Sequence, residues 1–326
     1  MNHSTQTDLP PEAAAVLARL ASDDATVRRI AVLDIGDLEA PALVGVLVSA
    51  LRDDAAPDVR REAATVLASW ESESVAEALC GALLDSDEGV RDAAAQALSE
   101  LKDSASAPVL RRWAQRPEPF VRRAALRGLR ELRDASAFEP ALDALADAHA
   151  DVRLEAVAVL GWLKDARALP PLASVAAHDK EAGVRRAATG ALGFGPIDDT
   201  ALGDALLHAL RDADWQVREE AATTLGKLPV PRARDPLIAA LADDYWQVRL
   251  RAARALGRMA EVDAAPALIA LLDHTISNLR KEAALALGEL DTPDVIAPLR
   301  AALDDRDPEV RKAVRIALQQ REGQAS

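Results

Sequence analysis

One short motif recurs ten times, and its period limits what the chain can fold into: an apolar residue, then Arg, then an Ala-rich stretch closing on an apolar residue. It reads VRRIAVLDIGDL from Val27, VRREAATVLASW from Val59, VRDAAAQALSEL from Val90, VRRAALRGLREL from Val121 and VRLEAVAVLGWL from Val152. It continues as VRRAATGALGFG from Val184, VREEAATTLGKL from Val217, VRLRAARALGRM from Val248, LRKEAALALGEL from Leu279 and VRKAVRIALQQR from Val310. Successive motif arginines, from Arg28 to Arg311, stand 31 to 33 residues apart. A fixed period in this range is the signature of a stacked repeat array.

Each unit carries two helical patterns. In the seventh, Val217, Ala221, Leu225 and Leu228 form the stripe of an amphipathic helix. The preceding segment, such as DPLIAALADD before the eighth motif, reads as a shorter first helix, with Pro171, Pro236 and Pro266 near the starts of such helices. Asp-rich turns lie between the two and suit a helix N-terminus. Gly161, Gly193, Gly226, Gly257 and Gly288, late in the second helix, suit close helix packing. A 31-residue helix pair cannot bury its own apolar face, so neighbours must stack. Only 3% of the residues are aromatic, so Ala, Leu and Val must supply the core. The expected fold is all-α, an elongated α-solenoid of about ten two-helix repeats over residues 10–320. Polar tails are expected at 1–9 and 321–326, and the irregular joint at 193–200 is the place for a bend.

The unit LxxLLxD…VRxxAAxALGxL resembles the HEAT repeat, in particular the short HEAT-like repeats named after phycobilisome lyases, and the consensus of artificial HEAT-like proteins. Residues 235–259, DPLIAALADDYWQVRLRAARALGRM, match it closely. The resemblance implies first helices on a convex side and Arg-bearing second helices on a concave one. It implies Arg–Asp pairs that bridge neighbouring units, with Asp24, Asp87, Asp214, Asp243 and Asp307 lying shortly before their arginines. It also implies a binding scaffold far more often than an enzyme, without naming the partner.

No catalytic constellation is visible. The histidines, His3, His149, His178, His208 and His274, form no His-Glu dipeptide and no His-x3-His pair, so no metal or other cofactor is expected. His208 and His274 are read as ending first helices, His149 and His178 as lying in turns. Cys80, the one cysteine, sits among apolar residues and reads as a buried structural thiol. A net charge of −14 opposes nucleic acid and anionic membrane, and no apolar run is long enough to span a bilayer. The polar start MNHSTQTDLPPE is no signal peptide, so a soluble, cytoplasmic monomer is expected.

Counting the motif's first residue as zero, positions two, three, six and ten face away from the apolar stripe. Trp162 and Phe194 share the tenth position in neighbouring units, beside the small Ala158 and Gly190, and suggest a shallow pocket. Trp215 and Trp246 share WQVR, with Tyr245 adjoining, at the groove mouth. Trp70, at position eleven, is expected in the core. Residues 111–133 hold eight arginines against two glutamates, and Arg251, Arg254 and Arg258 line one helix. The candidate partner-binding residues are therefore Trp162, Phe194, Trp215, Tyr245, Trp246, Arg123, Arg127, Arg251, Arg254 and Arg258, in a groove over repeats four to eight. The expected partner is a protein with an acidic segment. A lyase-like role in attaching a cofactor to a partner is the alternative, and nucleic-acid binding ranks last.

Overall fold

The computed structural model describes residues 13–196, 199–228 and 230–324, the last three by backbone alone. His3, the 1–9 tail, and Ile197 and Asp198 of the irregular joint lie outside the described residues. The described residues form α-helices and short 3-10 turns, with no strand among them. Contacts divide the chain into two compact units, Met1–Leu163 and Lys164–Ser326, each holding five repeats.

The first unit pairs Ala13–Leu20 with Ala25–Asp37, Val44–Asp53 with Pro57–Leu67, and Glu73–Ala82 with Glu88–Glu100. Ala107–Trp113 with Pro119–Leu132, and Phe138–Ala144 with Ala150–Leu163, complete it. The second unit pairs Leu169–His178 with Ala182–Ala191, Thr200–Ala209 with Trp215–Leu225, and Arg234–Ala240 with Trp246–Arg258. It closes with Ala265–Ala270 before Ser277–Glu289, and Ile296–Ala301 before Pro308–Gln324. Within each unit the second helix of a repeat packs on the second helix of the next, and on its own first helix.

The apolar stripe supplies the core in every repeat. The alanines four residues into the motif, from Ala31 to Ala283, are fully buried, as are Leu67, Leu98, Leu129, Leu160, Leu225, Leu256 and Leu287 four residues further on. Each buried Leu contributes on the order of 2 kcal/mol. Trp70 departs from its expected place: the helix ends at Leu67, so position eleven falls beyond it and the indole is half-buried. His178 also departs, since it ends the helix Leu169–His178 rather than lying in a turn, and His274 follows a 3-10 turn.

Gly226, Gly257 and Gly288 let backbones approach, whereas Gly193 departs from that expectation, since a Cβ there would meet only the Thr224 side chain, at 3.5 Å. A Cβ on Gly257 would stand 2.8 Å from Ala286 Cα, and one on Gly288 2.7 Å from Ala317 Cα. Backbone atoms cannot give way there as a flexible side chain would.

The motif arginines hold successive turns together. Nη1 of Arg28 donates to the carbonyls of Ser22 and Asp23 in its own interhelical turn, at 2.9 and 3.1 Å. Its Nε and Nη2 grip both oxygens of Asp54, in the next repeat's turn, at 2.8 Å each. Arg60–Asp85, Arg122–Asp147, Arg185–Asp212, Arg218–Asp243 and Arg280–Asp305 repeat this fork at 2.6 to 3.1 Å. The bridging Asp stands five residues before the next motif. Asp24, Asp87 and Asp214, three residues before it, instead cap their own second helices by accepting backbone N–H bonds. Asp243 bridges backwards, to Arg218 of the preceding repeat, rather than to the arginine that follows it in sequence.

In the ninth repeat His274 occupies the bridging position. Its Nδ1 accepts from the Ile276 N–H at 3.0 Å, so the neutral ring carries its proton on Nε2. That atom faces Nη1 of Arg249 at 3.2 Å, donor against donor, and the buried Nε of Arg249 has no hydrogen-bond partner. Burial, followed by the charges of Arg249 and Arg280, holds the His274 pKa below its ordinary value of 6.5.

Two outcomes follow from this packing. Gly257→Ala should destabilise the fold by about 1–3 kcal/mol, whereas Gly81→Ala, with nothing within 4 Å of the new methyl group, should be neutral or stabilising by about 0.5 kcal/mol in a denaturant melt. His274→Asp should add roughly 1 kcal/mol at neutral pH by completing the fork on Arg249. A folded-state pKa depressed below the unfolded one costs stability as pH falls through about 6.5. The wild-type melting temperature should therefore drop further than that of His274→Asp between about pH 7.5 and 5.5.

Candidate functional site

At positions two, three, six and ten the second helices carry a varied stripe, part of it paired across neighbouring helices, as in Arg251–Glu219 and Arg254–Glu282. In the first unit, Arg127 is exposed and Arg123 half-exposed, with Arg123 over the Phe120 ring at 5.2 Å and 3.5 Å from Asp151. Trp162 is 42% exposed, and Arg133 stacks over its ring at 5.5 Å. Arg133 sits in the left-handed region, φ 58°, at the end of its helix, which turns its side chain out of the helical register. Nearby, Arg116 covers Trp113 at 5.3 Å. The Arg133–Trp162 and Arg116–Trp113 pairs were not legible from the repeat spacing, because both arginines lie beyond the ends of their helices.

Phe194 belongs to the second unit, where it ends the 3-10 turn Leu192–Phe194 half-buried. Trp215 and Tyr245 are brought together: their rings stack at 5.2 Å with 9° between planes, joining repeats seven and eight. Arg218, while holding Asp243, also lies over Tyr245 at 5.8 Å. Such a pair is worth about 1 kcal/mol to the joint beyond its buried area. Tyr245 nevertheless remains 45% exposed, and Trp246 is half-buried.

The three arginines of the eighth repeat converge on one cleft of about 160 Å³. Lys227, Arg251, Arg254 and Arg258 line it, over a floor of Ala222, Gly226 and Ala255. Two of these cations are neutralised internally. Arg251 pairs with Glu219 at 3.0 Å, and Arg254 grips both oxygens of Glu282 at 2.8 and 2.7 Å. Glu282 is itself buried, so Arg254 is needed by the fold. Lys227 and Arg258 are exposed and form no ion pair with a carboxylate. The cleft thus carries two uncompensated positive charges in a chain of net charge −14. Trp246 and Arg258 are twelve residues apart on one helix, about 18 Å at the helical rise. The aromatic residues and the basic cleft are therefore separate features, at opposite ends of the second helices.

Among the described residues no group of His, Cys, Asp and Glu is arranged to hold a metal ion. His178 and His208 face each other, ring centroids 6.5 Å apart. Cys80 is buried, and burial pushes its thiol far above the ordinary range, which keeps it protonated and inert.

The HEAT-repeat family profile matches residues 44–130, 113–193, 183–248, 203–276 and 235–319, and so most of the sequence. The chain is a HEAT-repeat protein. No curated protein sequence matches it. An engineered protein of solved structure is similar over 96% of this chain and 99% of its own, at 22% identity and a TM-score of 0.55. YibA of Escherichia coli is similar over 82% of this chain and 98% of its own, at 19% identity and a TM-score of 0.59. Kap95p, from a structure describing its binding to RanGDP, is similar over 96% of this chain, at 15% identity and a TM-score of 0.70. The HEAT-repeat chain spans half the length of Kap95p. These likenesses establish the α-solenoid fold.

Proposed function

We propose that this chain is a non-catalytic scaffold that holds an acidic segment of a protein partner on the second helices of repeats seven and eight. The cleft carries the reading. Lys227 and Arg258 are cations without internal carboxylates, set beside Arg251 and Arg254 over a floor of small residues that leaves room for a carboxylate. Arginine suits this acceptor, because its planar fork matches two oxygens. Tyr245, through its exposed face, and Trp246 offer apolar contact at the other end, within reach of an extended segment of about six residues. Kap95p, of the same fold, is described with protein partners, RanGDP and Nup1. Arg123, Arg127, Trp162 and Phe194 remain proposed contacts, each within its own unit.

The compartment we propose is the cytoplasm. The only cysteine is unpaired, and no helix among the described residues is long and apolar enough to cross a membrane. A lyase-like accessory role rests on the resemblance of the repeat consensus alone.

A hexa-aspartate peptide carrying a photo-crosslinker should label helices Trp215–Leu225 and Trp246–Arg258 at low salt, and less at high salt. In Lys227→Glu/Arg258→Glu that labelling should fall at least about tenfold, with the melting temperature unchanged because neither side chain has an internal partner. Equal labelling of these helices in the double variant would refute the assignment.

A further inference from the structure

The arginine forks described above provide an internal template for a joint that lacks one member. Arg91 keeps the first half of the pattern: its Nη1 donates to the carbonyls of Asp85 and Ser86 at 2.8 and 3.1 Å, as Arg60 and Arg122 do in their own turns. That clamp holds the guanidinium in the orientation of its equivalents. The edge bearing Nε and Nη2, which elsewhere grips an Asp, forms no hydrogen bond and no ion pair.

The reason lies in the sequence of the fourth repeat. Five residues before Val121, where the bridging Asp belongs, stands Arg116. Its carbonyl accepts from Arg122 Nη1 at 2.8 Å, while its side chain lies over Trp113 and approaches Glu118 at 3.5 Å. Glu118 is the nearest acid in the turn, yet it is engaged with Arg116 rather than with Arg91, and its buried Oε2 accepts no hydrogen bond. Where a complete joint sets an Asp five residues before the motif, this one sets Arg116, which is turned to Trp113 and Glu118.

We infer that the joint between repeats three and four is a carboxylate-binding site, filled by an Asp or Glu side chain of a partner protein. The incoming carboxylate takes the place of Asp54 or Asp85 in the template, with one oxygen on Nε and the other on Nη2 of Arg91. The site lies in the first unit and does not depend on the cleft of repeats seven and eight. The two-point fork selects a planar carboxylate, which the same molecule accommodates at six other arginines at 2.6 to 3.1 Å.

The test uses the full chain carrying Lys227→Glu/Arg258→Glu, so that the cleft does not contribute. The Nε–H resonance of Arg91 is assigned by its loss in Arg91→Lys and followed while hexa-aspartate peptide is added. It should shift saturably, while that of Arg60, already paired with Asp85, should stay in place. Arg116→Asp supplies the missing acid internally, and should weaken peptide binding at Arg91 at least about tenfold while melting no lower than its parent. An Arg91 resonance that does not move, one that moves equally in Arg116→Asp, or one that responds to inorganic phosphate but not to the peptide would each overturn the proposal.

Discussion

The structure depends on a guanidinium shared between two turns. Each forked arginine ties its own interhelical turn, through a carbonyl, to the carboxylate that opens the next one. The bridging Asp does two things at once: Asp54 Oδ1, for example, also accepts the Ala56 N–H and so shapes the turn that precedes the next second helix. One side chain therefore sets the spacing between repeats and the local geometry of each. The arginines and their carboxylates are largely shielded from water, 15% and 11% exposed at Arg28–Asp54. In such surroundings a doubly hydrogen-bonded pair is worth more than a surface ion pair. The hydrogen bond from Arg28 lowers the Asp54 pKa, so this stabilisation is present above the ordinary carboxylate range and is lost as pH falls through the folded value.

Given that register, the second helices can approach closely, and the residues that permit it are small. Gly226, Gly257 and Gly288 each face an Ala backbone of the following helix. The Ala-Leu stripe is consumed by the core, which leaves the remaining stripe free to vary. In the second unit that freedom produces a cleft with two internally paired and two unpaired cations. The proposed binding site is a departure on an otherwise uniform scaffold.

The repeat period, the two-helix unit and the buried stripe were legible in the sequence, because they follow from periodicity alone. The bridging role was assigned to the wrong set of acids in part. Asp24, Asp87 and Asp214 lie closer in sequence to their arginines, but a helix N-terminus captures them first. The partner that wins lies 25 to 27 residues on, a distance that only stacking reveals. Arg251 and Arg254, expected to face a partner, also pair across the helices with Glu219 and Glu282, which no single repeat's sequence displays. Lys227 was visible at its repeat position, and its significance emerged only once its neighbours were seen to be neutralised. The stack of Trp215 on Tyr245 joins residues 30 apart in different motif positions, so no within-repeat register could have paired them.

The claim that the shared guanidinium holds neighbouring repeats together is tested most directly by a double-mutant cycle on Arg60 and Asp85. Asp85→Asn preserves the oxygen that accepts the Asp87 N–H, and Arg60→Met preserves the stem while removing the fork. The coupling energy from denaturant melts of the four proteins should be about 1.5–3 kcal/mol. A coupling below about 0.5 kcal/mol would mean that the two side chains act independently and that apolar packing alone sets the stack.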